Sequence, residues 1–118
     1  MKALSLTAII HVTDLNKALD YYKDVLGFKV DFEFGEYVGL NYDDVALHLN
    51  GVTNHGIKKA PGSAHFAIDC SEVDAYYDLI SKQGAIITVP IADRAYGLRD
   101  FAVEDPDGNT LVFGKAIV

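Results

Sequence analysis

The chain predicts an α+β domain built from two copies of one βαβββ module, and three observations carry that prediction. Two stretches of alternating apolar and polar residues each lead into an apolar stripe at helical spacing, closed by a glycine. Three further strand-like runs follow each stripe. The landmarks of the two halves also keep a constant offset: Thr7 and His65, Val12 and Cys70, and Leu15 and Val73 all stand 58 residues apart. Neither half alone could bury both faces of its sheet. The chain therefore reads as one domain, residues 1–118, with module 1 spanning about 1–55 and module 2 about 61–118.

The first strand is expected from Leu4 to Val12. Leu4, Leu6, Ala8, Ile10 and Val12 share one face, and Ser5, Thr7, Ile9 and His11 share the other. Asp14 has N-cap chemistry, and Leu15, Ala18, Leu19, Tyr22 and Leu26 form a helical stripe that Gly27 ends. Strand-like runs follow at Phe28–Phe34, Tyr37–Tyr42 and Val45–Asn50, with turns at Gly35-Glu36 and Asp43-Asp44. A Gly-, Asn- and Lys-rich loop over 51–62 separates the halves, and Lys58-Lys59 within it reads as a solvated basic pair.

The second half opens with Ala64, Phe66, Ile68 and Cys70 alternating with His65, Ala67 and Asp69. Ser71 and Asp74 have the spacing of a capping box, Val73, Tyr76, Tyr77 and Ile80 give the helical stripe, and Gly84 closes it. Runs at Ala85–Val89, Leu98–Glu104 and Thr110–Ile117 complete the module, with Asp-Pro-Asp-Gly at 105–108 as the turn before the last.

Composition narrows the function classes. Half of the 118 residues are apolar and 23% are charged, which fills a core and excludes disordered and collagen-like chains. Seventeen acids against ten bases give a formal charge of −7, which repels phosphate backbones and favours cationic small molecules. The single cysteine, Cys70, excludes an intramolecular disulfide and any Cys-cluster metal site. No apolar run approaches a membrane span and no signal peptide is evident, so the cytoplasm is expected. There is no Gly-x-Ser-x-Gly, no P-loop and no Gly-x-Gly-x-x-Gly, and the helix-facing parity of Cys70 argues for an inert thiol.

Several of these residues carry a family resemblance. Val-Thr-Asp-Leu at 12–15, then Ala18, Tyr21-Tyr22 and Val25-Leu26-Gly27-Phe28, resemble the first module of the vicinal oxygen chelate superfamily. His65-Phe66-Ala67-Ile68 and Asp105-Pro106-Asp107-Gly108-Asn109 resemble its second. That superfamily holds glyoxalase I, extradiol dioxygenases, and fosfomycin and bleomycin resistance proteins. The resemblance covers nearly the whole chain and implies tandem βαβββ modules that form a cleft-bearing open barrel. One face of each sheet packs on its helix and the other lines the cleft. On that parity Leu4, Leu6, Ile10, Leu47, Leu49, Leu111 and Phe113 face the helices. Thr7, Ile9, His48, His65 and Val112 face the cleft.

Metal-dependent members use four cleft-facing positions, which map here to Thr7, His48, His65 and Val112. Only the two histidines are ligand types, because a neutral Thr hydroxyl binds zinc, nickel or iron poorly and Val offers no donor. A two-His-one-carboxylate site would need Asp69, Asp100 or Glu104 to reach in. No resident cofactor is therefore expected, and a divalent metal on His48 and His65 is the alternative. Both histidines also read as ordinary polar residues of a partly wet sheet face, or as groups that contact a bound molecule.

Tyr96-Gly97-Leu98-Arg99-Asp100-Phe101 resembles a stretch of the metal-free bleomycin resistance-type members. There Tyr96 could lid the cleft and Arg99 could either contact a ligand or pin the strand through a salt bridge. Phe32, Phe34, Tyr37 and Tyr42 divide between core and a stacking wall, and Val30-Asp31-Phe32-Glu33-Phe34 admits either a regular strand or a bulge. The expected ligand-binding residues are thus Thr7, His48, His65, Tyr96, Arg99 and Val112, with no catalytic residue among them. The expected function is metal-independent sequestration of a cationic or aromatic small molecule, such as a bleomycin-like antibiotic, by a homodimer. The alternative is a metal-dependent glyoxalase-like lyase or isomerase, or a ring-cleaving dioxygenase. Neither nucleic acid nor membrane is an expected partner.

Overall fold

The computed structural model describes residues 1–53 and 59–117. The elements run β1 (Ala8–His11), α1 (Leu15–Asp20) with a π-helical turn (Tyr21–Val25), β2 (Lys29–Phe34), β3 (Tyr37–Tyr42) and β4 (Val45–Asn50). They continue with β5 (His65–Asp69), α2 (Val73–Lys82), β6 (Ile86–Asp93), β7 (Leu98–Glu104) and β8 (Thr110–Ala116). Each half contributes one four-stranded sheet, ordered β1-β4-β3-β2 and β5-β8-β7-β6. In both, the first strand lies parallel to the last and the other pairs are antiparallel. The tandem βαβββ reading holds, and neither sheet closes on itself. Lys58 and Val118 lie outside the described residues.

The first helix begins as its sequence dictates. Asp14 caps it by accepting from the Lys17 backbone N–H at 3.0 Å. Its second half then widens, with Leu26 N bonded to Tyr21 O at 3.1 Å, and this π turn lets the adjacent Tyr21 and Tyr22 both bury. Gly27 leaves it at φ 86°, and Phe28 N returns to Tyr22 O at 2.8 Å. With Gly27 N also bonded to Lys23 O at 3.2 Å, the helix ends in an αL stop, which needs a residue comfortable at positive φ.

Two expectations are corrected. The first strand starts at Ala8 and not at Leu4, and Leu4 and Leu6, read as helix-facing, are 85% exposed. The ladder explains this in part: Ala8 pairs with Leu47, and β4 begins only two residues earlier at Val45, so residues 1–5 have no strand to lie along and Leu6 would meet only its first residue. The capping box at Ser71 does not form either. Glu72 is the N-cap of α2 and makes no side-chain cap bond. Asp74 is instead taken by Arg99, whose Nη2 lies 2.8 Å from its carboxylate.

Elsewhere the parity holds. Ile10, Leu47, Leu49, Leu111 and Phe113 are buried and join Tyr22, Leu26, Ile80 and Phe101 in one apolar cluster that spans both halves. Polar bonds tie the halves across this core. Tyr22 OH donates to Asp105, Tyr76 OH donates to Leu26 O at 2.6 Å, and Ile86 N donates to Tyr21 OH at 3.0 Å. The Asp-Pro-Asp-Gly turn is itself wired: Asp105 Oδ1 accepts from the backbone N–H groups of Asp107 and Asn109. Since the shared core takes one face of each sheet, the opposite faces look outward.

Candidate functional site

Strand alternation decides which side chains reach those outward faces. In the first sheet Ile9 pairs with His48 and His48 with Gly39, while Phe32 stands opposite Gly39 and Phe34 opposite Tyr37. A bulge between Val30 and Phe32 re-aims β2. The Phe32 ring thereby comes down over Gly39, where a Cβ would run into its ring carbons. From there Phe32 stacks on Tyr37 (centroids 6.3 Å apart, planes at 19°) and meets the edge of His48 at 5.1 Å.

Tyr37 and His48 complete this cluster. Their rings are 5.2 Å apart, and the phenol oxygen lies 2.8 Å from His48 Nδ1. Burial holds the Tyr37 hydroxyl above its ordinary pKa. A phenol that donates to Nδ1 leaves the proton of a neutral imidazole on Nε2. Phe32 remains 39% exposed, so the cluster offers an accessible aromatic surface and not a sealed core.

The second outward face differs in chemistry. Its centre is small and apolar, with Ala67 paired to Val112 and Val112 to Ala102. At one end His65 pairs with Thr110, and Thr110 with Glu104. At the other end lies Asp100, opposite Gly114 and almost buried. Arg94 Nε donates to Asp100 Oδ1 at 2.8 Å, and Tyr96 OH donates to Oδ2 at 2.5 Å. Arg94 is fixed further by bonds to the carbonyls of Pro90 and Asp100. Burial works to raise the Asp100 carboxyl, but the Tyr96 hydroxyl and the Arg94 guanidinium outweigh it and hold it below its ordinary value. The same bond raises the Tyr96 hydroxyl.

The residues expected from sequence are distributed among these places. His48 stands on the first outward face; His65 and Val112 stand on the second, with Tyr96 at its edge. Thr7 precedes β1 and is exposed. Arg99 alternates with Asp100 and so lies on the helix side of β7, where it pairs with Asp74 and, at 3.1 Å, Asp93. Those two carboxylates raise its pKa further. Gly39 and Arg94 escaped sequence reasoning. A glycine in mid-strand is a signal of close approach, but its partner Phe32 is identified only once the bulge is placed.

The donor set does not fit a resident metal ion within one chain. Val112 is a hydrocarbon and Thr7 lies ahead of the sheet, which leaves His48 and His65, on different sheets, as the only ligand types among the four positions. Among the described residues no group of three or more His, Cys, Asp or Glu is arranged to hold a metal. Cys70 is half-buried, and burial raises its thiol. Among the described residues no helix is long and apolar enough to cross a membrane.

Comparison with known proteins agrees with this geometry. A bleomycin resistance protein of Staphylococcus aureus is 26% identical over 121 residues, covering 90% of this chain and 92% of its own. A protein described as a probable lactoylglutathione lyase, from Synechocystis sp., is 30% identical over 115 residues, covering 87% and 88%. The crystal structure of the bleomycin-binding protein of Streptomyces verticillus, complexed with copper(II)-bleomycin, superposes with a TM-score of 0.80 at 25% identity, covering 100% of this chain and 99% of that one. The profile of the Glyoxalase/Bleomycin resistance protein/Dioxygenase superfamily matches residues 5–113, and the chain belongs to that superfamily.

Proposed function

We propose that the protein is a metal-independent small-molecule binder that sequesters a cationic or aromatic ligand, of the kind bleomycin exemplifies, in a cleft lined by the outward sheet faces. The carrying observation is the Phe32–Tyr37–His48 cluster over Gly39, an accessible aromatic surface with a polar handle on the face opposite the core. The charge of −7 favours a cationic ligand electrostatically. The S. aureus and S. verticillus relatives support the ligand class.

The binding unit in this reading is a cytoplasmic homodimer. Ile9, Phe34 and Val89 are 52%, 81% and 42% exposed on the outward faces, and Leu4 and Leu6 project ahead of β1. A second copy covers these apolar groups and supplies the other wall of the cleft, in keeping with two open sheets of which neither closes on itself.

The test is calorimetric titration of the chelator-treated protein with metal-free bleomycin, and separately with nickel, zinc, manganese and ferrous iron. Saturable drug binding that falls at least about tenfold in Phe32→Ala supports the reading. A second reading, a metal-dependent lyase, takes its support from the Synechocystis relative and from His48 and His65 at two of the four ligand positions. One-site metal binding lost in His65→Ala, together with turnover of a hemithioacetal, would replace the first reading with the second.

A further inference from the structure

The two ends of the junction between the modules are treated differently. At one end the β1–α1 corner is clamped to the β7–β8 turn: the Thr13 backbone N–H and hydroxyl both donate to the Asp107 carboxylate, at 3.1 and 2.5 Å. Ser71 stands 58 residues after Thr13, at the β5–α2 corner, and faces the turn Asp43-Asp44 between β3 and β4. Among the described residues no hydrogen bond joins Ser71 to that turn. A groove of about 480 Å³ opens there, within the range of small-molecule sites.

The groove has a floor and a rim of distinct chemistry. Four aromatic rings cross it in an unbroken chain from one module to the other: Phe28 to Tyr42 at 5.5 Å, Tyr42 to Tyr76 at 5.7 Å, and Tyr76 to Phe113 at 5.0 Å. The rim carries the acidic residues Asp43, Asp44 and Glu72, with Asp69 at the end of β5 on the opposite parity, and no Lys or Arg lines the space. None of the four takes part in an ion pair among the described residues. They are also not gathered as metal ligands, so the charge is spread around an aromatic surface and not focused on a point. Phe28 and Phe113 are buried and back the floor, while Tyr42 is exposed and Tyr76 partly so. Negative charge spread around these two accessible rings suits a bulky organic cation, through Coulomb attraction at the rim and cation–π contact below.

We infer that this groove is a second ligand site, separate from the outward sheet faces, that takes an organic ammonium ion carried on an aromatic body. It lies on the helix side of both sheets, since Ile68, Cys70 and Phe113 line it and not the outward-facing Ala67 and Val112. It does not depend on what binds the outward faces.

The experiment titrates the full chain with benzyltrimethylammonium and with its neutral isostere, neopentylbenzene, following backbone amide shifts by NMR. The expected result is saturable binding of the cation with shifts centred on Tyr42, Asp44, Cys70 and Glu72. The isostere should bind at least about tenfold more weakly, and the affinity of the cation should fall as salt is raised. The triple variant D43N/D44N/E72Q should lose roughly tenfold in affinity, while Phe32→Ala, on the outward face, should leave it unchanged. Asn is well tolerated at position 43, where φ is +50°, so the variant keeps the turn. Absence of saturable binding, equal binding of the isostere, or shifts that map to the outward faces and vanish in Phe32→Ala would each overturn the inference.

Discussion

The hydroxyl of Tyr22, in the first module, donates to the carboxylate of Asp105, in the second, at 3.0 Å, and both side chains are buried. Burial, reinforced by the negative charge of Asp105, holds the Tyr22 phenol far above its ordinary pKa, so it stays a donor at every pH at which the protein folds. The same Oδ2 also accepts from Asn109 Nδ2 at 2.8 Å. Tyr22→Phe therefore removes one bond to a charged acceptor without leaving that oxygen bare. The expected loss is about 1.5–3 kcal/mol of unfolding free energy, read as a lower midpoint in urea with an unchanged slope.

Gly39→Ala tests the aromatic cluster through its floor. The new methyl occupies the space of the Phe32 ring, which is partly exposed and can swing toward solvent. Thermal stability should change by less than about 1.5 kcal/mol, while affinity for a ligand on this face should drop roughly tenfold as the stack with Tyr37 is lost. Differential scanning calorimetry with parallel ligand titration separates the two effects.

Tyr37→Phe frees His48 Nδ1 from the phenol. Long-range nitrogen–proton NMR of the neutral ring should show a proton held on Nε2 in the parent protein and a mixed tautomer in the variant.

Asp100 makes the acid limb of the stability curve steeper. Its folded carboxyl lies below its ordinary value, because the Tyr96 and Arg94 bonds outweigh burial. Its contribution is complete above the unfolded value of about 3.9 and is lost as pH falls from there through the folded pKa. Asp100→Asn should remove that part of the acid dependence, while lowering stability at neutral pH by about 1–3 kcal/mol through the weakened Arg94 pair. Urea unfolding across the acid range checks both.

The proposed homodimer is tested at the exposed apolar groups ahead of β1. The double substitution Leu4→Asp/Leu6→Asp should shift sedimentation toward monomer and weaken ligand binding in proportion, leaving the far-ultraviolet circular dichroism unchanged.

Much of the fold was legible because it rests on local chemistry. The runs Tyr37–Tyr42, Val45–Asn50 and Leu98–Glu104 match the observed strands, since alternation and flanking turns determine them. Leu4 and Leu6 show the limit of that logic. Their alternation is genuine, but a strand forms only where another strand lies alongside, and β4 ends its reach at the level of Leu6, leaving Leu4 with none. Ser71 fails as a cap for a similar reason, because Arg99, distant in sequence, competes for Asp74.

The site was less legible than the fold. His48 and His65 declare their face by parity, but what each one touches depends on register between strands. The Tyr37–His48 bond needs β3 and β4 in the right register, and the Phe32–Gly39 contact needs a bulge that the residues of β2 permit without demanding. Arg94 was invisible because it acts by folding the β6–β7 hairpin back onto Asp100, six residues away.

The separation of the two sheets has a consequence for how the chain acquires its structure during synthesis. Every strand ladder of the first sheet is complete by Asn50, and the first strand of the second does not begin until His65. The leading half can therefore pair its strands while the trailing half is still being made, and only docking remains for the end. That last step closes Thr13 onto Asp107 and Tyr22 onto Asp105, with the acceptors emerging after nearly all of the second half. Until then the leading half leaves the Tyr22 hydroxyl without its acceptor, and the share of the common apolar cluster that the second half contributes is still missing.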